Sequence, residues 1–277
     1  YSTVVQQFIN GYAQNITPNP CLACNQHVRW GFLLSHTLSL GAQFLATGHY
    51  AHLRKDENGI IQLLRAIDQT KDQSYVLHVL TQDQLQHTLF PVGGLNKSDV
   101  RDLARKFNLP TAERPDSQDL CFLGRDDYRD FLPRYSPAVF HPGPILTTTG
   151  ATLGMHRGLA FYTIGQRKGL GIASTRPFYV IRKDNAHNTL IIGHAEDLGR
   201  QDLDASQVNW VSGTSPYQAF RAQVKIRYKA MPEWAEIQPL GDFSFRVQFD
   251  NILRDITPGQ AAVIYQDDIC LGGGIIS

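Results

Sequence analysis

The sequence predicts an α/β protein with three parts: an α/β domain, a small mixed central domain and a C-terminal β-barrel. Three observations predict it. Helical and short-strand patterns alternate up to about Tyr128. From Phe131 the chain turns rich in Gly, Pro and Thr, with short strands. From about Ala205 it is almost all strand and turn, ending in Cys270-Leu-Gly-Gly-Gly-Ile-Ile276. The expected domains are residues 1–128, 129–204 and 205–277. At 277 residues the chain is long enough for two or three cores.

The elements follow in order. Val4, Val5, Phe8, Ile9 and Tyr12 recur at helical spacing, which predicts a helix over Ser2–Tyr12 with one buried face. Thr17-Pro-Asn-Pro20 breaks it. Residues 25–40 read as helical again, with Val28, Phe32 and Leu33 inward. Gln43–Thr47 reads as a short strand ending at Gly48-His49. Tyr50–Arg54 and Ile60–Ala66 flank Asp56-Glu-Asn-Gly59, a hairpin signal. Thr81-x-x-Gln84 is a capping box. Lys97–Phe107 reads as a helix with Val100, Leu103, Ala104 and Phe107 on one face. Phe178–Lys183 and Thr189–Gly193 read as central strands. No internal repeat or low-complexity segment interrupts the pattern.

Charge narrows the function. Net charge is +1, which argues against a protein that coats nucleic acid by charge alone. No apolar run reaches membrane-spanning length. The first residues lack the basic start and cleavage site of an export signal, so a reducing cytoplasm is the expected compartment. Four cysteines do not suggest a disulfide scaffold there.

Cys21 and Cys24 follow a Pro-rigid turn and open a helix, where the helix dipole is expected to lower a thiol pKa. Cys121 lies in Asp116-Ser-Gln-Asp-Leu-Cys121, and Cys270 sits in an apolar strand and reads as core. A closed zinc site wants a second ligand pair, and none is present at similar spacing. A thioredoxin-like motif should follow a strand, whereas this pair follows Asn19-Pro20. Cys21, Cys24 and Cys121 as iron–sulfur ligands remain an alternative. Gly93-Gly-Leu-Asn-Lys-Ser98 lacks the glycine before lysine of a phosphate loop. Gly165-Gln-Arg-Lys-Gly169-Leu-Gly171 has the wrong spacing for a dinucleotide turn and reads as a basic loop. Taken alone, His49 reads as hydrogen-bonded structure. Arg221, Gln223, Lys225, Arg227 and Lys229 alternate with apolar residues and are expected on one face of a strand. Such a row either follows a nucleic-acid backbone or is simply solvated.

Taken together these motifs resemble the tRNA 2-thiouridine synthases, the MnmA/TrmU thiouridylase family. Thr17-Pro-Asn-Pro-Cys-Leu-Ala-Cys-Asn25, Ala46-Thr-Gly-His-Tyr50, Lys71-Asp-Gln-Ser-Tyr75 and Phe90-Pro-Val-Gly93 are similar to its blocks in order. So are Asp116–Cys121, Tyr162-Thr-Ile-Gly-Gln-Arg-Lys-Gly-Leu-Gly-Ile172, Thr257-Pro-Gly-Gln260 and Cys270–Ile276. The resemblance implies a partial ATP-pyrophosphatase-type (PP-loop) domain first, which adenylates a wobble uridine with ATP and Mg. It implies that Cys121 carries a persulfide and that Cys24 is the partner nucleophile, able to form a disulfide with Cys121. Gly48 would lie near ATP. Asn19, Pro20 and Cys21 would touch the target base. His49, Lys71, Asp72, Gln73, Arg227, Tyr228 and Gln260 would contact tRNA. The implied partners are tRNA and a persulfide-donor protein, with no membrane.

Two departures qualify the resemblance. The family's glycine-rich, serine-containing pyrophosphate loop lies upstream of Tyr1, so the chain is expected to be N-terminally truncated and inactive alone. Some members carry Asp where this chain has Cys21, and three cysteines would suit an iron–sulfur-dependent variant. The rival reading is a non-catalytic RNA-binding module, against which the cysteine pair argues.

Overall fold

The computed structural model describes residues 2–113, 120–124 and 126–277. Helix α1 (Ser2–Ala13) forms where its apolar spacing predicts, and the chain turns at Asn15 in the left-handed region. Asn19 then caps α2 (Pro20–Ala23), which runs without interruption through a π-helical stretch, Cys24–Leu33, into α3 (Leu34–Ser39).

The π stretch corrects the expected inner face. Hydrogen bonds from i to i+5 widen each turn. Asn25 and Trp30, five apart, therefore both point inward, followed by Leu34. Phe32 and Leu33, read as inward, are 70% and 42% exposed, and Val28 is only half-buried. Trp30 is anchored by its indole N–H, which donates to Thr88 Oγ1 at 2.7 Å.

Strand β1 (Leu45–Ala46) is shorter than predicted and pairs in parallel with β4 (Thr88–Leu89). Between them, β2 (Ala51–Lys55) and β3 (Ile61–Arg65) make the expected hairpin. Its turn is closed by Asp56 Oδ1, which accepts from Asn58 N and Ile60 N, and by Gly59 at φ 85°. Helix α4 (Ser74–Leu77) is buried throughout, and α5 (Gln82–Gln86) opens with the predicted capping box. Helix α6 (Lys97–Lys106) forms as expected, with none of its residues buried, and Phe107 just past its end is 64% exposed. Periodicity reveals that a helix has an apolar face; it does not supply the surface to cover it. Of the Asp116–Cys121 motif, Asp116, Ser117, Gln118 and Asp119 lie outside the described residues.

After α7 (Tyr128–Tyr135) come β5 (Gly143–Thr147), β6 (Thr152–His156), β7 (Tyr179–Asp184) and β8 (Thr189–Gly193). They form one sheet in the order β6-β5-β8-β7, with β5 and β8 parallel. Helix α1 lies against α2 and also packs here: Val5, Phe8, Ile9 and Tyr12 share a core with Phe131, Leu132, Phe161 and Leu190.

The remaining strands are β9 (Arg200–Trp210), β10 (Phe220–Lys225), β11 (Glu233–Pro239), β12 (Ser244–Leu253), β13 (Ala261–Gln266) and β14 (Ile269–Ile276). Their order is β13-β10-β11-β12-β9-β14, and pairing of β13 with β14 closes a six-stranded antiparallel barrel. Leu203, Val224, Ile237, Phe245, Val247 and Ile264 fill it. Strand β3 adds to the outside of β14, with Cys270 opposite Leu63. Ala261, Val263, Tyr265 and Cys270 thus turn away from the barrel interior and pack with Leu63, Tyr75 and Leu77. Covering both faces explains why β13 is a continuous apolar run rather than an alternating one.

The basic ladder needs a correction. Burial alternates as predicted, but β10 ends at Lys225, and Arg227 and Lys229 lie in the following turn. Arg221 is spent on a bidentate pair with Asp250, at 3.0 and 2.6 Å.

Candidate active site

The α2 helix start is built by local sequence. Asn19 takes an extended conformation and its Oδ1 accepts from Cys21 N at 3.1 Å, an N-cap bond. Pro20 occupies the first helical position, where a missing N–H costs nothing. The preceding segment is held by the barrel. Thr17 N donates to Pro258 O at 3.0 Å, and Gln260 Nε2 donates to Thr17 O at 2.8 Å. A Cβ at Gly259 would lie 2.9 Å from Thr17 O, so this close approach requires glycine.

Cys21 and Cys121 are exposed, Cys24 is half-buried, and all four cysteines are free thiols. Cys21 does not follow the helix-start expectation. Removal of water around its sulfur raises the thiol pKa, and the neighbouring Cys121 and Cys24 sulfurs raise it further. The Arg29 guanidinium acts in the opposite direction. Those couplings place Cys121, remote in sequence, in the neighbourhood of Cys21 and Cys24. Tyr228 joins it: burial raises its phenol pKa, with smaller contributions from Asp72 and Cys21. Lys225 Nζ lies 5.8 Å from the Tyr228 ring and 6.0 Å from the Tyr75 ring.

Several residues expected at the tRNA surface turn their polar groups into the fold. Asp72 is buried and accepts from Ala66 N, Ser74 N and Ser74 Oγ. Gln73 Oε1 accepts from Tyr50 N at 3.0 Å. Arg227 donates from Nε to Asp255 O at 3.1 Å and from Nη2 to Ile164 O at 3.1 Å and to Thr257 Oγ1. Lys71 is half-buried in the turn beginning at Asp68. Gly48 is exposed, with open space beside its Cα.

His49 is buried against Trp30 and Phe90. Desolvation, assisted by Arg29, lowers its pKa to about 4. A neutral ring fits its contacts: Nε2 accepts from Arg29 Nη1 at 2.6 Å, and Nδ1 donates to Thr47 Oγ1 at 2.9 Å. Arg29 Nη1 also donates to Asn25 Oδ1 at 3.2 Å, while Asn25 Nδ2 donates to Val76 O at 2.8 Å. Sequence reasoning missed Arg29. Only a five-residue repeat through Asn25 and Trp30 would have signalled the π register that sets it between His49 and the cysteines.

Among the described residues no group of three or more His, Cys, Asp or Glu side chains is arranged to hold a metal ion. Among the described residues no helix is long and apolar enough to cross a membrane.

Fold and site together define a class: an α/β domain with thiols at a helix start, joined to two β domains. Three family models match in that order. One described as "tRNA methyl transferase HUP domain" covers residues 1–125, and "tRNA methyl transferase PRC-barrel domain" covers 129–194. "Aminomethyltransferase beta-barrel domain" covers 200–276. A tRNA-specific 2-thiouridylase MnmA of Magnetococcus marinus is 46% identical over 99% of this chain and 76% of its own length. The MnmA of Symbiobacterium thermophilum is 46% identical over 99% of this chain and 71% of its own, and that of Moorella thermoacetica 46% over 99% and 77%. The chain belongs to the tRNA-specific 2-thiouridylase MnmA family.

Proposed function

We propose that this protein transfers sulfur to carbon 2 of the wobble uridine in tRNA, with Cys121 as persulfide carrier and Cys24 as partner nucleophile. The observation that carries the reading is the convergence of Cys121 and Cys24 on Cys21 at the capped start of α2. A uracil carbonyl oxygen leaves poorly, so ATP supplies AMP to O2, with pyrophosphate and Mg handled by the family's PP-loop and Gly48 beside the nucleotide. The outer sulfur of the Cys121 persulfide attacks C2, and AMP departs with O2. The Cys24 thiolate attacks Cys121 Sγ, the S–S bond to the transferred sulfur breaks, and a Cys24–Cys121 disulfide forms as the thiocarbonyl is released. An external thiol reduces that disulfide, and a persulfide-donor protein reloads Cys121.

Asn19, Pro20 and Cys21 border the target base in this reading; of the three, Cys21 is exposed at the start of α2. His49, Lys71, Asp72, Gln73, Arg227, Tyr228 and Gln260 shape the tRNA-facing side. Asp72, Gln73 and Gln260 do so by fixing backbone, because their side chains are hydrogen-bonded within the fold.

The test is ATP-dependent thiouridine formation by the full-length protein. Cys24→Ser and Cys121→Ser should each abolish turnover, and Cys270→Ser should retain it, since that buried sulfur faces the packed side of the barrel wall. Full turnover in either of the first two variants would overturn the two-thiol mechanism.

A further inference from the structure

The loop Tyr162–Gly171 is pinned where all three parts of the chain meet. Gly165 N donates to Val180 O at 2.9 Å, and Val180 N donates back to Gln166 O at 3.0 Å. The Gln166 side chain locks the turn from within: Oε1 accepts from Thr163 N at 3.0 Å and Nε2 donates to Lys168 O at 2.9 Å. Gly165 sits at φ 83°, and a Cβ there would lie 2.7 Å from Asp255 Oδ1 of the barrel turn. Arg227 bridges the same gap, from Asp255 O and Thr257 Oγ1 to Ile164 O. On the other side, Thr163 Oγ1 lies 3.4 Å from Thr17 Oγ1, two residues before the Asn19 cap.

This arrangement separates two kinds of cation. Arg227 is half-buried and its Nε and Nη2 are committed to the fold. Arg167 and Lys168 are exposed on the pinned loop, and neither side chain has a hydrogen-bond or ion-pair partner among the described residues. Arg254 and Lys229, on the adjoining barrel turns, are exposed as well. Beside Arg167, a pocket of about 540 Å³ is lined by Gly169, Gly171, Ser174 and Arg176. A rigid backbone carrying unpaired cations beside a concave polar surface is what a phosphodiester chain requires. A strand entering toward Cys21 and Cys24 would pass this loop, because Thr17 joins the two.

We propose that Arg167 and Lys168 contact the phosphate backbone of the bound tRNA, and that Arg227 is a positioning residue clamping their loop to the barrel. The inference rests on the tRNA-binding reading above and adds to it the residues that meet the charge. In a chain of net charge +1 the contact to a polyanion must be local, and Arg167, Lys168, Lys229 and Arg254 lie exposed at this one junction.

The experiment is tRNA binding by the full protein across a salt series, with hydrogen exchange of the loop amides measured alongside. Arg167→Ala and Lys168→Ala should each lower the slope of log K against log salt by about one, and the double variant by about two. Loop exchange should be unchanged in both single variants. Arg227→Ala should speed exchange at the Gly165 and Val180 amides, and Arg227→Lys should not restore protection, since an ammonium lacks the planar fork that spans these acceptors. An unchanged slope in the Arg167/Lys168 double variant would overturn the contact assignment. A slope loss of one in Arg227→Ala with loop exchange unaltered would make Arg227 itself the phosphate contact. If wild type binds no tRNA at any salt, the underlying functional reading fails, which is a different result from either.

Discussion

His49 shows how one residue's surroundings fix its chemistry. Its folded pKa of about 4 lies below the ordinary histidine value, so the unfolded chain takes up a proton first as pH falls. Stability from the neutral ring is complete above about pH 6.5, declines below it and is lost by about pH 4. His78, fully buried with Nδ1 on Tyr75 O, also has its pKa lowered to about 4 and adds in the same window. Denaturant unfolding between pH 7 and 4 should show a falling stability, and His49→Gln should flatten the curve by up to about 3 kcal/mol over that range. An unaltered pH slope would mean that His49 is not held neutral. Cysteine accessibility gives a second check. Brief iodoacetamide treatment of the native protein, followed by peptide mapping, should label the exposed Cys121 and leave Cys270, 1% exposed with its thiol pKa raised by burial. Labelling of Cys270 at the same rate would contradict its place in the core.

At the scale of elements, the π stretch decides which side chains matter. Trp30→Ala removes a buried indole and leaves Thr88 Oγ1 without its donor, so it should cost about 3–5 kcal/mol. Phe32→Ser, which a regular α-helix reading would rank as a core deletion, should fall within about 0.5 kcal/mol of wild type. Equal losses in urea unfolding would restore the regular register. The hairpin and the α5 capping box, by contrast, formed where their turn and cap residues predicted, because those signals are local.

Across the whole molecule, the first domain and the barrel share one core. Strand β3 pairs with β14, Ser74 Oγ lies 3.0 Å from Tyr265 OH, and Tyr75 OH donates to Ala261 O at 3.0 Å. Tyr75→Phe should therefore cost about 1–3 kcal/mol by leaving a buried carbonyl without its donor. Calorimetry should show the hairpin region and barrel melting together, and the variant should shift that shared transition. Two separate transitions, with only one moved, would show that the seam carries little energy.

The sequence by itself determined the α/β class with its two β-rich parts, the hairpin, the α5 capping box and the thiols at a helix start. Each depends on residues close in the chain, where backbone conformation, capping and alternation act directly. The buried fate of Cys270 was legible for the same reason, in an apolar strand. Tertiary structure alone decided the rest. It sent α1 to the central core, left the apolar side of α6 uncovered and wound the Cys24 helix into a π register. It also ended β10 at Lys225, spent Arg227 on the Ile164 loop and gathered Cys121 with Cys21 and Cys24. Those outcomes depend on which distant surfaces meet, and burial, desolvation and pairing between remote residues leave no periodic trace in the chain.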